Sequence, residues 1–430
     1  MRNAFIVQDR RIRIIDIVRG VAVLGILAIN LPDMAYPEDL VLAFHVTDPE
    51  RDWNYWAGFI SEVLFSGKMR GLFALLFGVS SILIVENLGR RIDGIAVADI
   101  YFRRLWWLLI FGLINAYIFL WWGDVLFKYA LLGMLLFSFR RSSIRILTAA
   151  VLCCLAVLTI QPLAEYRELV DLQQSYIDVQ DKRVSEESLT SGDKEIAAFW
   201  QESLEDIGPD LDSIEGEDAI KTSGYVDIFG HNASRVFEEH TEIFYMEDFW
   251  DMILYMLLGI MLYRLGIFDE RVKQSVHLAI AFFGIGIGLT IHAWLNLGVH
   301  GNYLDPVKSL YYLIFFDLGR LPCVLGYLSL IIYIFRMEIF RYIGDGMQSV
   351  GKMALSNYLI QSIIAAFVLY GFGIAQFNQL SRLDLEGIII LICIFQITFS
   401  VIWMRLFLFG PFEWLWRSLT YWKPQPFRKV

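Results

Sequence analysis

The sequence predicts an all-α fold, a polytopic membrane helical bundle of about ten transmembrane helices with both termini in the cytoplasm. The 430-residue chain is 57% hydrophobic and has a mean hydropathy of +0.53, whereas soluble globular proteins are about 45–50% apolar. The excess is gathered into runs long enough to cross a bilayer, which takes roughly 20 residues each. Basic residues recur in alternate connections between the runs, as in other multi-pass membrane proteins.

Ten apolar runs are candidate spans. They cover residues 14–31, 64–85, 103–121, 124–139, 143–162, 249–267, 275–297, 309–335, 353–374 and 387–407. Cations cluster before the first span and in every second connection after it; Arg91, Arg104, Lys352 and Arg417 are among them. Because cytoplasmic loops carry an excess of Lys and Arg, we expect these connections in the cytoplasm. The first run lacks a small-residue cleavage site, so we expect it to stay in the mature protein.

The spans divide the chain into three parts. Residues 1–162 hold the first five spans, and residues 249–430 hold the last five with a cytoplasmic tail. Between them, residues 163–248 form a long acidic connection, which we expect outside the cytoplasm and in part as amphipathic helices. The sequence therefore predicts a multi-pass protein of the cell inner membrane whose first partner is the lipid bilayer.

Composition and residue types exclude several functions. The net charge is −10 and no basic domain exists, so we expect no binding of nucleic acid. All four cysteines fall inside apolar runs, where cysteine behaves as a small buried hydrophobe. No spacing of Cys and His residues is typical of a metal site, so we expect none.

The first span is not purely apolar. Asp16 and Arg19 lie three residues apart, on one helix face, and can pair. Asn30 lies roughly 21 Å further along the helix, near the opposite end of the span. Charges inside a span are costly and indicate function by default. An ion pair that merely anchors the helix end at the membrane interface is an equal alternative.

Charged residues also mark three other spans. Lys68 and Arg70, near the outer end of the second span, could hold an anionic group, or could pair with loop acids and lipid phosphates. Asp124 either caps the fourth span, because aspartate accepts from the free N–H groups of a first turn, or takes part in function. Asp317 and Arg320 of the eighth span are expected to form a buried pair, which costs several kcal/mol unless its geometry is good.

Histidine and amide side chains complete the candidate set. His45 in the first outer connection and His292 in the seventh span are candidate bases, although a single membrane histidine is more often a packing residue. Asn115 lies in the middle of the third span. Asn357 and Gln361 lie four residues apart in the ninth span, where interhelical hydrogen bonding is the simpler explanation.

Several segments together carry a family resemblance. They are the helix from Asp16 to Asn30, the run from Lys68 to Gly78, the stretch Gly351–Ser362 and the motif Phe409–Tyr421. On these segments the chain resembles the YeiB-like family of bacterial inner-membrane proteins, a domain of unknown function numbered 418, over nearly its whole length. Its first helix is similar to that of the wider membrane acyltransferase group, which includes the heparan-glucosaminide acetyltransferase type and the sugar O-acyltransferases.

The resemblance implies transfer of an acyl group from a cytoplasmic thioester, with acyl-CoA as the candidate donor, to a glycan or lipid acceptor on the other side. A histidine would serve as base or acyl relay. The resemblance also implies a histidine at the position of Asn115, and asparagine is not a base near neutral pH, so this member would either be inactive or use His45 or His292 instead. The candidate catalytic residues are His45, His292 and Asn115. The candidate substrate-binding residues are Asp16, Arg19, Asn30, Lys68, Arg70, Asp124, Asp317, Arg320, Asn357, Gln361 and Glu413.

Three functions stay open at this stage. In an enzyme, Arg19 and the inner cations would bind the donor's phosphates, while Asn30, Lys68, Arg70 and one histidine would position the acyl group and the acceptor. In a transporter of a small solute, the two buried ion pairs would line a path and exchange partners. In a non-catalytic membrane scaffold, the acidic outer connection would be a docking surface.

Overall fold

The computed structural model describes residues 12–41, 51–92, 94–205 and 210–429. Within these ranges the chain is helical, and the β contacts are limited to one isolated bridge between Phe407 and Arg428. The all-α prediction is therefore confirmed for the described residues. His45 lies outside them.

Seventeen α-helices are numbered here in chain order. They are α1 (Arg13–Ala35), α2 (Trp53–Phe65), α3 (Lys68–Gly89), α4 (Ile95–Leu113), α5 (Leu126–Leu136), α6 (Ile144–Val184), α7 (Ser191–Glu205), α8 (Leu211–Lys221), α9 (Tyr225–Glu238), α10 (Phe249–Arg264), α11 (Gln274–Gly301), α12 (Pro306–Leu313), α13 (Phe316–Phe335), α14 (Arg341–Lys352), α15 (Ala354–Leu369), α16 (Arg382–Leu406) and α17 (Pro411–Tyr421). A π-helical turn, Ile114–Ile118, ends α4, and a longer one, Glu239–Asp248, joins α9 to α10.

The described residues contain six helical segments long and apolar enough to cross a membrane: α1, α2–α3, α6, α11, α12–α13 and α16. A seventh is counted if α15 and the segment Glu338–Lys352, bent by 77° from each other, form one broken span. The predicted spans at 103–121, 124–139 and 249–267 coincide with α4, α5 and α10. However, α4 carries Asp99, Arg103 and Arg104, and α5 and α10 have only 11 and 16 residues. The structure thus supports a membrane protein with six or seven clear spans rather than ten.

The centre of the bundle is built on α1, α3 and α10. The short helix α10 is buried on every side from Asp251 to Ile260, which places it inside the bundle rather than against lipid. It lies against α3 with almost no side chain between the backbones. A Cβ on Gly78 would lie 2.0 Å from the Met256 carbonyl oxygen, and one on Gly259 equally close to that of Leu75. Small residues allow this close approach of membrane helices.

Helix α6 differs from its prediction. The fifth span was expected to end at residue 162, but the helix continues through Pro162 to Val184 for 41 residues. At 1.5 Å per residue it is about 60 Å long, roughly twice the hydrocarbon core of a bilayer. Its second half therefore projects beyond the span, and the predicted domain boundary at residue 162 falls inside a continuous helix.

The projecting half of α6 packs against α7 as a helical hairpin. Tyr176 stacks on Trp200 with ring centroids 5.8 Å apart. At the turn, Lys182 Nζ donates to Asp193 Oδ1 over 2.7 Å, and this hydrogen bond lowers the pKa of Asp193 to about 2. The acidic connection thus begins as a folded element, consistent with its helical charge pattern.

Candidate functional site

A cavity of about 220 Å³ opens between six helices at one end of the bundle. Its walls come from α1, α3, α4, α5, α15 and α17, together with the end of α14. Most of the inner wall is apolar, with Phe73, Phe77, Leu105, Leu108 and Leu126. The cavity can therefore accommodate an apolar group in the middle of the bundle.

The charged residues that line the cavity are mainly cations. They are Arg19, Arg91, Arg104, Lys352 and Arg417, against the carboxylates of Asp16 and Glu413. The Arg104 guanidinium lies 3.5 Å over the Trp416 ring, and the Trp416 indole nitrogen donates to the Arg104 carbonyl over 2.8 Å. This stacking fixes one cation at the wall, as guanidinium groups over aromatic faces do. The excess of cations favours an anionic group at this end.

The predicted pair of Asp16 and Arg19 is confirmed, and it lies in the cavity wall. Arg19 Nη1 donates to Asp16 Oδ1 over 3.0 Å, and Nη2 donates to Ser80 Oγ over 2.7 Å. Arg19 Nη1 also approaches the Gly351 carbonyl at 3.5 Å. The pair thus connects α1 to α3 and α14 at the place where these helices form the cavity.

Glu413 lines the cavity, but both of its carboxylate oxygens accept hydrogen bonds from a neighbouring helix. Its two carboxylate oxygens accept from the Ser356 backbone N–H over 3.0 Å and from the Ser356 hydroxyl over 2.5 Å. In turn, Ser356 Oγ accepts from the Phe412 N–H over 3.0 Å. Each residue therefore satisfies free N–H groups in the first turn of the other's helix, which locks α15 to α17.

This reciprocal capping predicts a measurable loss of stability. Replacing Ser356 by alanine removes a hydroxyl that serves both helix ends, so we expect the free energy of unfolding to fall by about 1 kcal/mol. Melting of the purified protein in detergent measures it. Ser349→Ala is the control, because the Ser349 hydroxyl only donates to the Asp345 carbonyl within its own helix. Equal melting temperatures for the two variants would contradict the capping role.

A second, much smaller void lies beyond the inner end of the cavity. It measures about 10 Å³ and is lined by Leu27, Asn30, Leu31, Met34, Trp121, Tyr358, Gln361, Ser362 and Ala365. Tyr358 lines both spaces. Asp16 and Arg19 therefore touch the large cavity, Asn30 touches the small void, and Tyr358 lies where the two meet.

The amides of the ninth predicted span form an interhelical ladder. Asn357 Nδ2 donates to Ser400 Oγ over 3.0 Å. Gln361 Nε2 donates to Gln396 Oε1 over 2.9 Å and to the Val23 carbonyl over 3.0 Å. Gln396 Nε2 donates to the Asn357 carbonyl over 2.8 Å. These bonds join α15 to α16 and α1, while Gln361 Oε1 is buried without a partner among the described residues.

Asn115 and Asp124 bind each other at the start of α5. Asn115 Nδ2 donates to Asp124 Oδ1 over 2.8 Å, and the Phe127 N–H donates to Asp124 Oδ2 over 2.9 Å. Asp124 thus accepts from a first-turn N–H of α5, as predicted, although the N-cap position itself is Val125. Asn115 and Asp124 are both fully buried, and neither lines the two spaces described above.

Four carboxylates and three cations form an ion-pair chain across the other side of the bundle. In spatial order its members are Glu239, Lys128, Asp248, Arg70, Asp251, Arg320 and Asp317. Arg70 lies 2.9 Å from Asp248 and 2.7 Å from Asp251. The predicted pair of Asp317 and Arg320 is confirmed at 2.5 Å, and Arg320 also contacts Asp251.

The ion-pair chain connects α3, α5, α10, α13 and the π-helical turn before α10. It adjoins the cavity through Tyr129, which lines the cavity and donates its hydroxyl to the Arg70 carbonyl over 3.2 Å. Both terminal nitrogens of the Arg70 guanidinium are engaged by carboxylates. Arg70 thus pairs with acids at the start of α10 rather than with the loop acids or lipid phosphates that were the alternative to an anionic ligand.

Lys68 and His292 lie apart from the cavity, between α3, α11 and α13. Lys68 is fully buried and donates to the Glu62 carbonyl over 3.2 Å. His292 packs edge-on against Phe316 with ring centroids 5.1 Å apart, and neither ring nitrogen has a partner among the described residues. The structure therefore does not bring His292 together with Asn30, while His45 lies outside the described residues.

Four of the five cavity cations, Arg91, Arg104, Lys352 and Arg417, are not among the residues predicted for the site. Each belongs to a cationic connection on the same predicted face, and the sequence predicted phosphate binding by these inner cations only as a group. Tyr358 carried no sequence signal of its own beyond its place next to Asn357. Within the described residues, no group of His, Cys, Asp and Glu side chains could hold a metal ion.

Comparisons with known proteins agree with the segments that carry the resemblance. The model of a family described as "Protein of unknown function (DUF418)" matches residues 262–423. The uncharacterized protein YxaH of Bacillus subtilis (strain 168) is 27% identical over 98% of this chain and 97% of its own length. The uncharacterized protein YeiB of Escherichia coli (strain K12) is 28% identical over 94% of this chain and 95% of its own.

A shorter likeness covers part of a third protein. An uncharacterized 39.9 kDa protein from the amylase 3' region of Bacillus acidopullulyticus is 33% identical over 22% of this chain and 27% of its own length. No solved structure matches the chain. The family match at the carboxy-terminal side and the two relatives that run along nearly the whole chain show that this protein is similar to the YeiB-like DUF418 family.

Proposed function

We propose that this protein is an acyltransferase-like enzyme of the plasma membrane. It takes an acyl group from a cytoplasmic acyl-CoA and delivers it to a glycan or lipid acceptor on the other side. The observation that carries the proposal is the cavity of about 220 Å³ with cations at its open end and an apolar wall inside. The first helix of the protein, α1, resembles that of membrane acyltransferases and forms one side of this cavity.

The two regions of the cavity match the two parts of an acyl-CoA. Arginine forms paired hydrogen bonds with phosphate, and lysine binds it as a point charge. Arg91, Arg104, Lys352 and Arg417 would hold the phosphates of CoA at the mouth. Leu105 and the other apolar residues further in suit the acyl group, because ligand pockets combine apolar walls with a few placed polar groups.

The proposed orientation has ten crossings and both termini in the cytoplasm. The broken span of α14 and α15 counts as the seventh crossing, and α4, α5 and α10, whose short or charged segments pack inside the bundle, supply the other three. The cavity cations then lie in cytoplasmic connections or at the cytoplasmic ends of helices, in line with the excess of Lys and Arg on that side. The hairpin of α6 and α7 lies on the opposite side.

This orientation predicts the labelling of single introduced cysteines. Ser188 is exposed at the tip of the hairpin, and Glu270 is exposed in the connection between α10 and α11. In intact spheroplasts, an impermeant thiol reagent should modify Ser188→Cys, and it should modify Glu270→Cys only after the membrane is broken. The reverse pattern would overturn the orientation, and the unmodified parent protein measures the background from the four native cysteines.

The transfer step needs a base on the acceptor side. In the proposed reaction the acyl–sulfur bond of the thioester breaks, an acyl–oxygen bond to an acceptor hydroxyl forms, and the hydroxyl proton passes to the base and on to the departing thiolate. His45 is the candidate base in the outer connection, and Asn30 would orient the acyl group. General-base assistance of this kind is worth about 10²–10⁴ in rate. Asn115 would support α5 through Asp124 rather than act on substrate.

Ligand-dependent melting tests the proposal. A ligand that binds only the folded state stabilises it by about 2.7 kcal/mol at a hundred times its dissociation constant. We expect at least one acyl-CoA, in a series from acetyl to palmitoyl, to raise the melting temperature more than free CoA or inorganic phosphate at the same ionic strength. If no acyl-CoA raises the melting temperature, the donor assignment is wrong.

The ion-pair chain favours one alternative, a transporter whose buried pairs exchange partners. Under that alternative, Asp317→Asn should leave a folded protein that has lost movement of a solute across the membrane. If the ion-pair chain is instead a structural connection, the same variant loses stability and no solute flux is found in the parent protein. Reconstituted vesicles and melting curves of one preparation separate these outcomes.

A further inference from the structure

Tyr358 occupies the boundary between the cation-lined cavity and the small void beside Asn30. It is a lining residue of both spaces, and only 1% of it is exposed. Arg19 touches the first space and Asn30 touches the second, so the two ends of α1 face different sides of this ring. The aromatic ring of Tyr358 is therefore a partition across the middle of the bundle.

The phenol is held in place by two donors from one turn. Its hydroxyl oxygen accepts from the Trp121 indole nitrogen over 3.1 Å and from the Val125 backbone N–H over 3.3 Å. Both donors belong to the segment between α4 and α5. The break between α14 and α15, where the chain bends by 77°, comes one turn before Tyr358. A rotation of the side chain thus requires these two hydrogen bonds to open and the neighbouring core side chains to shift.

The space beyond the partition is small but polar. At about 10 Å³ it has room for one water molecule. Gln361 Oε1 lies in a residue that is 96% buried and has no partner among the described residues. Asn30 and Ser362 line the same void. Because an unpaired buried acceptor costs about 1–3 kcal/mol, Gln361 Oε1 is available to a donor that enters when the partition opens.

We propose that Tyr358 is a positioning residue that separates the donor cavity from an acceptor-side polar pocket formed by Asn30, Gln361 and Ser362. With the ring in place, the acyl group ends against Tyr358, and water from the acceptor side does not reach the thioester. When the ring turns away, the two spaces join and the acceptor hydroxyl meets the acyl carbon. This inference rests on the proposed function for its chemistry, but the partition itself is tested without any donor.

The first test measures access across the partition. In vesicles, a small charged methanethiosulfonate is added on the face that carries Arg91 and Arg104, and modification of Ser362→Cys is read by mass spectrometry of its peptide. We expect Tyr358→Ala to speed this modification about tenfold or more, since removing the ring makes a rare local opening permanent. Tyr101→Ala is the matched control, because Tyr101 is a buried tyrosine that lines the large cavity but not the small void.

Equal rates for Ser362→Cys with and without the Tyr358→Ala change would overturn the partition. If Tyr358→Ala does not yield monodisperse protein, Tyr358→Phe replaces it, since it keeps the ring and loses both hydrogen bonds. That variant should speed modification by about threefold, because its ring opens more often, and an unchanged rate would again overturn the proposal.

The second test uses acetyl-CoA, whose thioester carbon lies next to the end of its short acyl group, and detects released thiol in the absence of acceptor. We expect the Tyr358→Ala protein to hydrolyse the thioester about tenfold faster than the parent, because an open partition admits water. In the control Tyr101→Phe, the hydrolysis rate should change only in proportion to any change in binding. Faster cysteine modification without any acyl-CoA binding would leave the partition standing and defeat the proposed function. If acyl-CoA binds but Tyr358→Ala changes neither cysteine modification nor hydrolysis, the partition is overturned and the proposed function is not.

Discussion

Asp251→Asn is expected to cost the folded protein about 3–5 kcal/mol, the range found when one member of a buried ion pair is removed. Asp251 lies between two guanidinium groups, 2.7 Å from that of Arg70 and in contact with that of Arg320. Arg320 is 2% exposed, so water cannot replace the lost carboxylate. A melting curve in detergent, together with the yield of monodisperse protein, measures the loss.

An exposed ion pair provides the control for Asp251. Arg13 and Asp345 lie 2.9 Å apart with side chains 43% and 54% exposed, and such surface pairs are worth about 0–1 kcal/mol. Asp345→Asn should therefore melt close to the parent protein. If Asp251→Asn melts at the same temperature as Asp345→Asn, the ion-pair chain does not hold the bundle together.

Gly351→Ala is expected to destabilise the protein by about 1–3 kcal/mol through overpacking, and to disturb the cavity with it. A Cβ at Gly351 would lie 1.8 Å from the Asp16 carbonyl oxygen, and one at Gly20 would lie 2.1 Å from that of Met347. Helices α1 and α14 thus touch backbone to backbone beside Arg19. An added methyl group must push them apart, because neither contact is with a flexible side chain.

Gly346 offers a matched control on the same helix. The nearest atom to a Cβ at Gly346 is Ile397 Cγ2 at 3.7 Å, an ordinary contact. Because alanine is favoured over glycine inside a helix by about 1 kcal/mol, Gly346→Ala should melt at or above the parent temperature. A Gly351→Ala protein that is as stable as Gly346→Ala would show that the close contact of α1 and α14 is not required.

Local sequence relations predicted much of this structure. The pairs of Asp16 with Arg19 and of Asp317 with Arg320 follow from a three-residue helical spacing, and the capping by Asp124 follows from its place before a helix. Each predicted apolar run coincides with a helix of the bundle, whereas α2, α14 and α17 lie almost entirely outside the predicted runs. The runs overstated the number of clear spans, because α5 and α10 are apolar for another reason: they are buried among other helices.

Relations between distant segments could not be read from the sequence. Asp251 sits within the apolar run of α10, and nothing in its neighbourhood indicates partners on α3 and α13. The cavity gathers residues from seven helices that are distant in sequence, so no one segment carries its pattern. Helix α6 extends beyond its predicted end, because a proline inside a long helix can be accommodated. Periodicity alone also does not reveal where a span leaves the membrane.

The most direct test of the donor cavity compares two neighbouring arginines. Arg90 and Arg91 are both exposed, but only Arg91 lines the cavity. We expect Arg91→Glu to weaken binding of palmitoyl-CoA about tenfold, equivalent to 1.4 kcal/mol, while Arg90→Glu binds within a factor of two or so of the parent. Equilibrium titration of the three purified proteins gives the dissociation constants, and equal weakening by both changes, or by neither, would contradict an acyl-CoA site in this cavity.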